Sequence, residues 1–238
     1  MTYLAIDTST DTAGLAIVTN GQLTGEDTWH CTRNQSVELL PHLVTLLTST
    51  KAGVKDITGI IIACGPGGFN SLRVGFGTAK GLAFGLDIPI IGVSTLAAAA
   101  YCHATTGLPV CAVLPAGRAE VAWSVFQELD GTWQNTSSEV ISAPSDIYPH
   151  INSATVLAGE PGETIIQELR ANLGDLIIIP GSPPKSRVRA LAELGTKYLV
   201  AGRRNDVATL QPVYLRRPPI TQPKSKSAGM RPSPPPAI

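Results

Sequence analysis

The residues of this chain whose types could support chemistry fall into three groups. They are four histidines, four cysteines, and two short turns rich in glycine or in hydroxyls and carboxylates. His30, His42, His103 and His150 contain no pair at helical metal-ligand spacing and no H-E-x-x-H. Cys31, Cys64, Cys102 and Cys111 form no C-x-x-C pair. No G-x-S-x-G elbow announces a serine nucleophile. The glycine turn Gly65-Pro66-Gly67-Gly68-Phe69-Asn70-Ser71 sits between an apolar run and a helical pattern, the grammar of a phosphate site. It lacks the Gly-Lys-Ser/Thr of the nucleotide P-loop. It also fails the dinucleotide fingerprint, because Asn70 stands where the third glycine belongs. A tight turn with Asn70 or Ser71 capping the helix accounts for it without a ligand. Arg203-Arg204 and Arg216-Arg217 are short basic pairs, read first as solvated faces and second as phosphate contacts.

The elements that carry these residues set the architecture. Residues 60–64 are a continuous apolar run, a buried strand. Residues 71–86 read as a helix, with Gly75, Gly77, Gly81 and Gly85 inside it. Each glycine costs about 1 kcal/mol relative to Ala in a helix interior. Gly77, Gly81 and Gly85 form a flat strip suited to the close approach of another backbone. Leu72, Phe76, Ala79 and Ala83 form a neighbouring apolar face. The strip serves either a contact inside the chain or a helix of another molecule, and the pattern leaves both open. Residues 36–50 read as a second helix, with Pro41 near its first turn. Its apolar coverage (Val37, Leu40, Val44 and Leu47; Leu39, Leu43 and Leu46) is broader than a one-sided surface helix needs. A partner or full internal burial would each explain it.

The chain opens with strands at 3–6, 14–18 and 22–29, with Asn20-Gly21 as a hairpin signal. Strand, turn, strand, hairpin, strand recurs at 110–114, 121–126 and from Trp133, offset by about 107 residues. Between and after these meanders come a strand at 88–93, a helix at 94–101, a strand near 154–158, a helix near 163–172, a strand at 176–179 and a helix at 186–201. The first strand ends at Asp7 before a turn of hydroxyls and carboxylates, residues 8–12. This turn resembles the first phosphate loop of the actin, sugar-kinase and heat-shock-chaperone ATPases, although it holds no Lys or Arg. Taken alone, an ordinary hairpin with an Asx-type turn explains it better. The expected class is α/β, a two-lobed actin-like fold with a duplicated strand meander plus helices. The expected lobes are residues 1–107 and 108–217, followed by a proline-rich, mildly basic tail at 218–238 that cannot bury a core.

At 238 residues, with 43% hydrophobic and 15% charged residues, the chain has material for a substantial core. A formal net charge of zero supplies no field toward nucleic acid or a membrane. The apolar runs are too short for a membrane span. Unpaired cysteines and an opening that does not read as a signal peptide give the cytoplasm as the expected location.

A family resemblance covers residues 1–217. Its motifs are Leu4-Ala5-Ile6-Asp7-Thr8-Ser9, Leu39-Leu40-Pro41, the glycine turn through Gly75, Ala79-Lys80-Gly81-Leu82-Ala83, Ile91-Gly92-Val93-Ser94-Thr95-Leu96, Glu120-Val121 with Trp123, and Pro212-Val213-Tyr214-Leu215-Arg216. Together they resemble the TsaB family, dimerisation subunits of the bacterial tRNA threonylcarbamoyladenosine machinery. The family usually has Ser, Thr and Gly where this chain has Gly68, Asn70 and Ser71. It usually has Asp-Ala-Arg where this chain has Pro115-Ala116-Gly117-Arg118. The resemblance implies a non-catalytic subunit with no cofactor and no metal. In the paralogue TsaD, a His-x-x-x-His pair binds the metal; those positions are Thr95 and Ala99 here. It implies a heterodimer with TsaD, a homodimer when alone, and an ATPase partner, TsaE. It implies contact with tRNA only through the complex. The expected partner interface comprises Leu39, Leu40, Leu43, Leu47, Arg73, Gly77, Lys80, Gly81 and Phe84. The rival readings are a nucleotide-binding or hydrolysing enzyme of the actin-like fold, and a peptidase, which needs a metal or triad that the sequence does not display.

Overall fold

Three strands open the chain as an antiparallel meander: β1 (Thr2–Asp7), β2 (Thr12–Thr19) and β3 (Gln22–His30). Asn20 at φ 52° and Gly21 at φ 81° make the two-residue hairpin that their identities predict. β1 is buried along its whole length because it is central, whereas the edge strand β3 alternates exposed and half-buried residues. β4 (Ile57–Ala63) and β5 (Ile90–Val93) join in parallel, giving the order β3-β2-β1-β4-β5. The computed structural model describes residues 1–32 and 34–216, so the expected tail at 218–238 lies outside the described residues.

Helices α1 (Gln35–Thr50) and α2 (Phe69–Leu86) cover one face of this sheet. Leu39, Leu43, Leu46 and Leu47 of α1 and Phe76, Ala79 and Ala83 of α2 pack on Leu4, Ile6, Ile60 and Ile62. Both helices stop at a left-handed residue, Lys51 and Asp87. Two local expectations are corrected. Pro41 lies in the second turn of α1, not its first; the Val37 carbonyl that loses its partner belongs to an exposed residue, open to solvent. The cap of α2 is Gly68, without any side-chain hydrogen bond, not Asn70 or Ser71. The Gly68 N–H donates to the Ser9 carbonyl at 2.8 Å, which fixes the helix start two residues early.

The second sheet repeats the first. β6 (Val110–Gly117), β7 (Glu120–Leu129) and β8 (Thr132–Asn135) form the meander, with β9 (Val140–Ser142) added on β7. β10 (Thr155–Gly159) and β11 (Ile177–Ile178) extend it in parallel, giving β11-β10-β6-β7-β8. A 3-10 turn at Pro144–His150 takes the place of α1, and α4 (Glu163–Leu173) takes that of α2. Duplicated meanders with parallel additions in the same order are the two-lobed actin-like fold.

The helices α3 (Thr95–Tyr101) and α5 (Arg187–Val200) fill the layer between the two sheets. Ser94 caps α3 by accepting from the Ala97 N–H at 3.3 Å, as its type predicts. Although α5 ends the second repeat, it packs on β1, β2 and β4 of the first, while α3 packs on β6, β7 and β10 of the second. Small residues permit this. Ala97, Ala98, Ala99 and Ala100 are buried, and a Cβ on Gly195 would meet Ile61 at 2.3 Å.

Candidate functional site

The outer face of α1 and α2 breaks the usual segregation of apolar side chains. Val37, Leu40 and Val44 are 71%, 53% and 63% exposed in a stripe along α1, and Phe84 on α2 is 83% exposed. Clustered exposed apolar side chains are the kind of surface at which proteins meet partners. The glycines of α2 divide by cause. A Cβ on Gly75 would sit 2.3 Å from Thr8 Oγ1, so that glycine serves the close approach of the first turn. Gly77, Gly81 and Gly85 have open space where a side chain would stand. Among the described residues no packing accounts for them, and the strip faces outward.

The structure sorts the expected interface residues. Leu40, Gly77, Gly81 and Phe84 reach this outer face. Leu39, Leu43 and Leu47 do not: they are buried on the first sheet, because their i, i+4, i+8 stripe faces inward. Lys80 donates from Nζ to the carbonyls of Ala208 (3.1 Å) and Leu210 (3.0 Å), strapping the chain's own C-terminal segment across α2. Arg73 is exposed, its guanidinium 5.1 Å from the Phe69 ring, which tilts against Tyr214 at 5.0 Å. These side chains and Gly77 line a shallow groove of about 420 Å³ beside the glycine strip.

The two turns with chemical potential meet each other. Thr8 Oγ1 donates to the Ser71 carbonyl at 2.7 Å, and a Cβ on Gly67 would lie 2.2 Å from the Ser9 carbonyl oxygen. Gly65 at φ 106° passes within reach of the Val213 carbonyl. The glycine turn is therefore shaped by backbone contact with the first turn. That turn carries no cation of its own, yet one reaches it: Arg187, at the start of α5. Its Nε donates to Asp7 Oδ2 (2.6 Å), its Nη1 to Glu160 Oε1, and its Nη2 to Thr10 Oγ1 and the Thr12 carbonyl (both 2.8 Å). Burial works against the guanidinium charge, but the carboxylates of Asp7 and Glu160 outweigh it and hold its pKa above the usual value. The sequence reading missed Arg187. The available signal was a cation at the first position of a helix, where the macrodipole opposes it and a carboxylate must compensate.

The remaining reactive side chains are quiet. Cys64, Cys102 and Cys111 are pushed up to about 12 by burial, so they stay protonated thiols. Burial lowers the pKa of His103. His42 Nδ1 lies 2.6 Å from Asp27 Oδ2, with its ring stacked on Trp29 at 3.9 Å. His150 meets Trp123 edge-on at 5.0 Å. Among the described residues, no three His, Cys, Asp or Glu side chains are grouped closely enough to hold a metal. None of the described helices is long and apolar enough to cross a membrane.

Comparison with known proteins gives this geometry a family. Residues 30–205 match the family model described as TsaD, tRNA N6-adenosine threonylcarbamoyltransferase. The chain is 28% identical over 224 residues to the tRNA threonylcarbamoyladenosine biosynthesis protein TsaB of Escherichia coli (strain K12), covering 91% of this chain and 95% of that one. The chain belongs to this family, on its TsaB branch. The TsaB of Bacillus subtilis (strain 168) is 36% identical over 132 residues, 55% of this chain and 57% of its own. The solved structure of YeaZ from Pseudomonas aeruginosa aligns with a TM-score of 0.75 at 26% identity, covering 90% of this chain and 99% of that one. Thr95 and Ala99, the positions that the sequence resemblance sets against a histidine pair, are both buried in the central helix layer. Neither supplies an imidazole.

Proposed function

We propose that this chain is a non-catalytic scaffold that dimerises with TsaD. The pair would recruit TsaE for threonylcarbamoyl transfer to adenosine 37 of tRNAs reading codons that begin with A. The observation that carries this reading is the outward face of α1 and α2. Val37, Leu40, Val44 and Phe84 are large, apolar and exposed on the two helices that also carry three glycines required by no contact among the described residues. Gly77 and Gly81 admit the backbone of a facing helix, and the apolar stripe supplies area to bury. The same face would join two TsaB chains in the absence of TsaD. A formal net charge of zero suits a subunit that meets tRNA only through the complex. Thr95 and Ala99, without imidazoles, suit a subunit that leaves metal chemistry to TsaD.

The test is size and affinity on mixing with the TsaD of the same cell, for wild type and Gly81→Leu. A Cβ at position 81 meets no described atom within 4 Å, so the isolated fold is expected to survive the change, which a thermal midpoint of the variant checks. The expected result is tight wild-type association that falls at least 100-fold in the variant. Absence of wild-type association at micromolar concentration overturns the scaffold reading, and saturable ATP binding between the lobes becomes the question.

A further inference from the structure

The first turn of this chain already holds a charge partner from within. We propose that Arg187 is an internal latch, fixing the opening between the two lobes without any bound ligand. Glu160 stands on the second sheet, directly after Gly159, whose φ of 92° and approach to the Val113 carbonyl leave no room for a side chain. The Glu160 N–H is tied to the same Val113 carbonyl at 2.9 Å, so its position is set by β6. Arg187 is set by α5, which packs on the first sheet, and by the Ser186 cap that accepts from the Arg189 N–H at 3.1 Å. Asp7 is set by β1, and its other oxygen accepts from both the Ser9 N–H and the Ser9 hydroxyl. Thr10 Oγ1 accepts from Arg187 and donates to Glu160 at 2.9 Å. Four of the five guanidinium hydrogens are thereby directed at fixed acceptors from both lobes.

The surroundings identify this cluster as a strut. A cleft of about 430 Å³ lies on one side of Glu160, bounded by Ser9, Asp11, Gly68 and Leu114. A second cavity of about 380 Å³ lies on the other, bounded by Asp7, Cys102, Leu157 and Arg187. Between these two voids the guanidinium contacts add a polar tie to the apolar packing that α3 and α5 make between the sheets. Two carboxylates against one guanidinium leave an excess negative charge, which disfavours a phosphate in the turn. The latch therefore reaches into the turn that resembles a phosphate loop and ties the lobes together there itself.

Hydrogen exchange on the full chain tests this in wild type, Arg187→Met and Glu160→Gln. The expected result is exchange at least tenfold faster at residues 8–12 and 158–160 in both variants, with amides of α1 and α2 within about twofold of wild type. Glu160 is partly exposed, so Glu160→Gln carries the comparison if Arg187→Met folds poorly. Unchanged exchange at both segments overturns the latch, and so does a uniform rise across the chain, which would mark Arg187 as an ordinary core support. In wild type, millimolar MgATP is expected to leave residues 8–12 unaltered. MgATP-dependent protection there would overturn the claim that Arg187 fixes the opening without any bound ligand.

Discussion

Outside the first sheet lie two helices of 16 and 18 residues; at the equivalent places outside the second sheet lie a seven-residue 3-10 turn and a helix of 11. The first layer turns Val37, Leu40, Val44 and Phe84 outward. The second turns out Glu163, Gln167, Arg170 and Asn172, all polar: Gln167 donates to Glu163 at 3.0 Å and Asn172 to the Glu168 carbonyl at 2.8 Å. Two copies of one fold, in one chain, thus treat solvent in opposite ways. The second copy shows that the fold is complete without an outward apolar face. The face on the first therefore calls for an explanation outside the fold.

The sharpest division runs through α1 itself. Leu43→Ala is expected to destabilise the isolated protein by about 2–5 kcal/mol, as large-to-small core changes do. Leu40→Ala, one turn away but exposed, is expected to change it by under about 0.5 kcal/mol. Urea midpoints for the two variants check this, and equal losses would erase the distinction between core and contact stripes. Next comes association. Phe84→Asp is expected to weaken binding to TsaD at least 100-fold, an anchor-sized effect of roughly 2.7 kcal/mol. Arg170→Asp on the matching helix of the second lobe is expected to change it less than about twofold. Equal effects in a titration would break the asymmetry between the lobes.

Gly81→Ala separates folding from contact within one residue. The methyl enters open space in a helix interior, so stability should rise by about 1 kcal/mol, measured as a higher thermal midpoint. Affinity for the partner should fall at the same time, because the glycine strip is no longer flat. Loss of stability would mean that the strip serves the fold after all. The smallest expected effect concerns the buried thiols. Their folded pKa is raised, to about 12 for Cys111, above the ordinary thiol value of 9.0. A raised folded pKa contributes stability below the unfolded pKa that is lost as pH climbs through the folded one. Stability in reducing buffer should accordingly begin to decline above pH 9, and the decline should be shallower in Cys111→Ala.

How much of this was legible in the residues differs from place to place. Apolar runs, the Asn20-Gly21 hairpin and the Ser94 cap gave the strand meanders and α3 close to their observed bounds, since these depend on neighbours in sequence. β9 and the 3-10 turn at Pro144–His150 were not read, because three-residue strands and tight turns carry too little periodic pattern. In α1 the breadth of apolar coverage was correct, but its division was not: Leu39, Leu43 and Leu47 were assigned to a partner and belong to the sheet. Periodicity places residues on a common face; only the sheet's position decides which face turns inward.

By itself the sequence determined the duplicated α/β pattern, the glycine strip and the absence of familiar catalytic spacings, all properties of local order along the chain. Tertiary structure alone decided which glycines answer to their own chain and which are left open. It also decided that α3 and α5 pack across the lobes, and that Arg187 crosses 180 residues of sequence to meet Asp7. The reason is physical. Local propensity acts over a few residues, whereas a buried charge is tolerable only where the whole fold brings its counter-charges to it.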